Sequence, residues 1–109
     1  MGGLVMNHLT EDSLQQGLLY VKDSMGIMYD DDNKMIENKL ITSAIWLCET
    51  ILYEDDFVIP VNSLELTLVA ERVRYEMSNS LDMFQKNYGN DIQNVISRHA
   101  YLSHIKGGV

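Results

Sequence analysis

Apolar residues return along this chain at helical intervals, and the polar residues between them mark where helices should begin and end. Leu14, Leu18, Val21 and Met25 lie three or four apart, with Leu19 widening the stripe. That spacing predicts an amphipathic helix from Ser13 to Met25. Thr10, Asp12 and Ser13 offer an N-cap, Glu11 and Asp12 suit the positive end of the dipole, and Gly26 stands where a left-handed glycine would end the helix. Gly17 falls inside the pattern without disturbing its period.

Asp30, Asp31, Asp32 and Asn33 form the next start signal. From Lys34 to about Tyr53 there is no glycine or proline. Ile36, Leu40, Ala44, Leu47 and Ile51 make one stripe there, and Ile41, Ile45, Cys48 and Leu52 make its neighbour. Together they cover more than half the circumference, which predicts the most buried helix of the molecule, about 30 Å long. Glu54, Asp55 and Asp56 oppose the negative end of that dipole, so the helix should stop near Tyr53. Phe57-Val58-Ile59-Pro60-Val61 reads as extended, since Pro60 holds Ile59 out of helical geometry. As a strand it has no visible partner elsewhere in the chain.

Asn62 or Ser63 caps the third helix, whose stripe is Leu66, Val69, Ala70, Val73, Met77, Leu81, Phe84 and Tyr88. The phase is unbroken across Ser78-Asn79-Ser80, so one continuous helix over 63–88 is expected. The alternative is two helices with a cap at Asn79 or Ser80. Gly89 should end this element, and Asn90 or Asp91 should cap a last helix with Ile92, Val95, Ile96, His99 and Leu102 on one face. The pattern therefore predicts an all-α fold, a small bundle of about four helices with a long central pair and a C-terminal helix. It should form a single domain over residues 1–109, with 1–9 a flexible N-terminal arm and 103–109 a flexible tail. The expected core is Leu18, Leu40, Ala44, Leu47, Val69, Val73 and Met77.

Charge sharpens this picture. The formal net charge is −8, and its distribution is uneven: residues 1–59 hold 11 acids and 3 bases, while residues 60–109 hold 5 of each. Such a surface repels phosphates and argues against specific gripping of DNA or RNA, although a wall that DNA slides past needs only to avoid sticking. No apolar run reaches the roughly 18–20 residues of a membrane span, and the first residues lack the pattern of a signal peptide. With one cysteine, Cys48, no internal disulfide is possible; a buried, inert thiol in a reducing compartment is expected. These features together predict a soluble intracellular protein.

Candidate chemistry is sparse. An EF-hand loop starting at Asp30 would need an oxygen ligand, a glycine and a carboxylate where Lys34, Met35 and Ile41 stand, so the aspartate run is read as helix capping. His99 and His104 are five apart and fall on different helix faces, and the only thiol is distant, which argues against zinc. There is no phosphate-binding glycine loop, no nucleophile elbow and no paired nucleophile and base. No catalytic residue, metal or cofactor is expected. Arg72 and Glu76 are four apart and can pair along the helix. Arg72, Arg74 and Tyr75 form the kind of arginine–tyrosine cluster found at protein interfaces, which makes them candidates for a subunit contact.

Two stretches resemble a known family. Tyr20-Val21-Lys22-Asp23-Ser24-Met25-Gly26-Ile27, followed by an acidic stretch and a long helix, is similar to the head–tail connector (head-completion adaptor) proteins of long-tailed bacteriophages and related prophages. The series from Ala70 to Gly89, with Arg72-x-Arg74-Tyr75, Asn79-Ser80-Leu81 and Phe84-x-x-Asn87-Tyr88, resembles them more closely, and the likeness spans roughly residues 10–102. Its motifs are packing patterns, informative through their order. The Phe57–Val61 segment has no clear counterpart. The resemblance implies a structural virion protein, monomeric in isolation, that joins a ring, typically a dodecamer, between the portal and the next neck or tail-completion protein. The ring would extend the DNA channel, with DNA passing non-specifically, and the subunit would wait in the host cytoplasm before reaching the virion neck. On this reading the face carrying Ile92, Ile96, His99 and Leu102 docks on the portal or on a neighbouring subunit. A different class also fits the composition: a small acidic helical regulator, antitoxin-like or anti-repressor, that binds a protein partner.

Overall fold

A computed structural model describes residues 7–108 of the chain, with side chains through Leu102. Four α-helices account for most of it: α1 (Glu11–Met25), α2 (Asn33–Ile45), α3 (Leu64–Met77) and α4 (Leu81–Gly108). The result is a small all-α bundle. Thr10 and Ser13 cap α1 reciprocally, each side chain accepting from the other's backbone amide. Gly26, at φ 68°, closes it: the Ile27 amide reaches back to the Lys22 carbonyl and the Gly26 amide to that of Asp23. Leu14, Leu18 and Val21 are buried as the spacing requires, while Leu19 is half exposed and takes no part in the core.

The second helix continues without a gap from α2 into a π turn, Trp46–Ile51, before Tyr53 at φ 54° ends it. The wider turn rotates the end of the rod, so Leu47 and Cys48 are both fully buried while Glu49 points outward toward the N-terminal segment. This helix is less central than its two stripes imply, since Ile41, Ile45, Ile51 and Leu52 are only partly buried. The most embedded element is α3, which packs on α1, α2 and α4 together. Two faces of α3 are covered: Leu66, Val69, Ala70 and Val73 against α1 and α2, and Leu68 against Phe84, Ile92 and Val95 of α4. Trp46, Ile51 and Leu52 lie between the two clusters and join them.

The break after α3 differs from the expected continuous helix over 63–88. Asn79 adopts φ 56°, and the amides of Asn79 and Ser80 turn back to the carbonyls of Glu76 and Tyr75. This is the same left-handed closure used by Gly26, with asparagine in the glycine's place. The chain then reverses, and α4 runs antiparallel to α3. Gly89 does not end a helix; α4 passes through it because Phe84, Tyr88, Ile92, Val95 and His99 keep a three-to-four spacing on the side facing α3. A mid-helix glycine costs at most about 1 kcal/mol, less than moving that whole face out of register. The longest element is thus the C-terminal helix rather than a central pair, and it runs through the 103–108 segment expected as tail; residue 109 lies outside the described residues.

The expected arm is tied down where it can be seen. Residues 1–6 lie outside the described residues, but Leu9 is fully buried and pairs in a parallel bridge with Ile59, whose amide donates to the His8 carbonyl at 2.8 Å. The Phe57–Val61 segment therefore has its partner, supplied by the arm. The expected core is otherwise as described by the stripes: Leu18, Leu40, Ala44, Leu47, Val69 and Val73 are buried, and Met77 packs at the edge.

Candidate functional site

Two buried glutamates on α3 organise the polar interior. Glu71, 3% exposed, accepts from the Tyr20 hydroxyl of α1, from the Tyr88 hydroxyl of α4 at 2.9 Å, and from Arg74, whose guanidinium reaches it at 2.6 Å. Burial by itself would raise this carboxyl; the bonds from Arg74, Tyr20 and Tyr88 outweigh it and hold Glu71 below the usual carboxylate range. The same contact pushes the Tyr20 phenol up to about 12, first through burial and then through the carboxylate it faces. One charged acceptor thus joins three helices.

Glu65, 4% exposed, lies six residues earlier on α3. It accepts from His99 Nε2 at 2.7 Å and from Arg98 at 2.6 Å. Again burial opposes ionisation, and the bonds from His99, its own backbone amide and Arg98 prevail to lower its pKa. His99 Nδ1 faces Glu54 at 3.0 Å, and Phe57 stands edge-on to the imidazole with centroids 4.5 Å apart. A second histidine also meets Phe57 and a glutamate. His8 donates from Nδ1 to the Phe57 carbonyl at 2.7 Å and faces Glu49 through Nε2 at 2.8 Å.

The residues expected at a subunit contact are engaged within the chain. Arg72 lies over the Trp46 ring at 4.6 Å and donates to Ser43 at 3.0 Å, while Glu76, its expected partner on the helix, pairs with Lys39 of α2 at 2.8 Å. Arg74 holds Glu71. Tyr75 meets Phe84 and Tyr88 edge-on and accepts from Asn87 at 2.8 Å. The expected docking face divides: Ile92 and His99 are buried against α3, Ile96 is partly buried, and Leu102 stands about half exposed beside Tyr101.

The arrangement is built for holding helices together. Among the described residues every buried side-chain nitrogen or oxygen has a partner, and no group of three or more His, Cys, Asp or Glu could hold a metal ion. Cys48 is buried, and burial followed by the charges of Glu49, Glu54 and Glu65 pushes its thiol up to about 12, far from a reactive thiolate. An open cleft of about 120 Å³ lies between α1 and α3, beside Gly17 and Tyr20. No described helix is long and apolar enough to cross a membrane.

Periodicity located the apolar side of α3 but passed over Glu65 and Glu71. The available signal for Glu65 was its three-residue spacing to Leu68, which with Tyr75 marks a face turned toward α4; Glu71 had no such signal. His8 and Glu49 had no comparable signal, because 41 residues separate them. The chain matches no protein-family model, no curated protein and no solved structure.

Proposed function

We propose that this chain is a structural assembly subunit, and in finer terms a head–tail connector that joins a ring beneath a phage portal. The observation that carries the coarser reading is the far end of α4. His99 is buried in the bundle, while Tyr101 is 63% and Leu102 49% exposed just beyond it, and the helix runs on to Gly108. Large side chains exposed together on a helix surface, as Tyr101 and Leu102 are, favour a second protein as the occupant. The finer reading rests on the order of motifs from Ala70 to Gly89. The negative surface of residues 1–59 fits a channel wall past which DNA moves without adhering.

The geometry changes which variants test this. Removing residues 91–109 would take away Ile92, Val95 and His99 and unfold the bundle, and reversing Arg74 would strand Glu71. The informative variant ends at Ala100, which leaves Phe84, Ile92, Val95 and His99 in place. Sedimentation of the chain with purified portal, followed by imaging of the product, should show a ring for the full chain and none for the shortened one, with unchanged helix content. Equal binding by both would remove the α4 end from the interface. Failure of the full chain to bind portal, together with tight binding to a nucleic-acid-binding protein, would favour the acidic regulator instead.

A further inference from the structure

The segment between the π turn and α3 is held in an unusual way. Among the described residues five non-glycine positions have positive φ, and four of them, Asn7, His8, Tyr53 and Asn62, border this segment or the arm it pairs with. Such backbone persists only where surrounding contacts over-determine it. The contacts here converge on Phe57. Its carbonyl receives His8 Nδ1 at 2.7 Å, and its ring lies against His99. The opposite nitrogens are bound too, His8 Nε2 to Glu49 at 2.8 Å and His99 to Glu65 at 2.7 Å and Glu54 at 3.0 Å.

All four ring nitrogens therefore face oxygen acceptors, three carboxylates and a carbonyl, none of which can donate when ionised. A ring carrying one proton can satisfy only one of its two neighbours and must turn a lone pair toward the other. Both rings are about 6% exposed, where an unmade bond is costly. We propose that residues 54–59 form a proton-latched strap: doubly protonated His8 holds it over the bundle, and loss of that proton frees the strap together with Leu9.

Other groups around the His8 ring agree with this sense. His8 faces Glu49 from the π turn and Asp55 from the strap itself, both negative. His99 faces Glu54 from the strap and Glu65 from α3, and Arg98 on its own helix shares Glu65. For His8, burial lowers the pKa, but the Glu49 bond, the Phe57 carbonyl and the charges of Glu49 and Asp55 outweigh it and leave it above 6.5. The folded value lies above the unfolded one. The latch is therefore complete below about pH 6.5 and is lost as pH rises through the folded value. Release uncovers Leu9 and Ile59, both fully buried while the strap is closed. The latch stands apart from the proposed assembly role.

The test is amide exchange on the full chain near pH 6 and near pH 8.5, corrected for the intrinsic pH dependence of exchange. The reporter is the Ile59 amide, which donates to the His8 carbonyl, read against the core amide of Val69 on α3. Protection of Ile59 relative to Val69 should fall about fivefold or more at the higher pH. In His8→Gln it should be low at both pH values, with helix content retained. Should that variant unfold, the nitrogen chemical shifts of the His8 ring in the wild-type chain decide: two N–H groups near pH 6 support the latch. A single-proton tautomer at that pH would overturn it, as would an Ile59-to-Val69 ratio unchanged between the two pH values.

Discussion

Replacing Glu71 with glutamine changes almost no volume and removes one charge, so it isolates what that charge contributes. Glu71 accepts from Tyr20, Tyr88 and Arg74, which belong to α1, α4 and α3. Hydrogen bonds to a charged partner contribute about 1.5–3 kcal/mol and neutral ones about 0.5–1.5, so the two tyrosine bonds lose roughly 1 kcal/mol each. Arg74 is 34% exposed and can turn to water, so its share is discounted. The amide nitrogen of glutamine will also confront one of the three donors. The expected loss at neutral pH is about 2–3 kcal/mol, or a fall in melting temperature on the order of 10 °C for a chain of this size. Urea unfolding followed by circular dichroism measures it. The folded pKa of Glu71 is lowered from 4.5, so the charge stabilises the fold above that value and ceases to do so as pH falls through the folded one. The gap between wild type and Glu71→Gln should therefore close in acid. A difference below about 0.5 kcal/mol at pH 7, or a gap indifferent to acid, would show that Glu71 is not the charged hub of the three helices.

Leu47→Ala should destabilise by about 2–4 kcal/mol, because Leu47 is fully buried inside the larger cluster; denaturant titration would expose a smaller effect as collapse of the site. Asn79→Gly should leave stability equal or higher, whereas Asn79→Ala should cost about 1 kcal/mol, since alanine resists φ 56°. Equal melting temperatures for these two variants would mean that the α3–α4 turn does not depend on its left-handed residue. Millimolar calcium or chelator should leave the melting temperature unmoved, and a large rise with calcium would reopen the aspartate run at Asp30–Asp32.

Local signals were enough for the helices and for most of the core. Leu14, Leu18 and Val21, or Val69 and Val73, are spaced by the helix period itself, and a period is a property of neighbouring residues. Gly26 was equally legible, because few other residues accept its backbone. The turn at Asn79 was legible only as the alternative to a continuous helix, since the apolar phase runs through it without a slip and asparagine there competes with Gly89, the stronger breaker on paper. Only the docking of Phe84, Tyr88 and Ile92 on α3 decides that the chain reverses ten residues before the glycine. The candidate site lay further out of reach. Glu71 needs Tyr20 from 51 residues away, Glu65 needs His99 from 34, and Ile59 needs the arm around Leu9. A buried charge is tolerable only once its partners are in place. Those partners come from separate helices, so the tertiary fold alone determines which acids go inside.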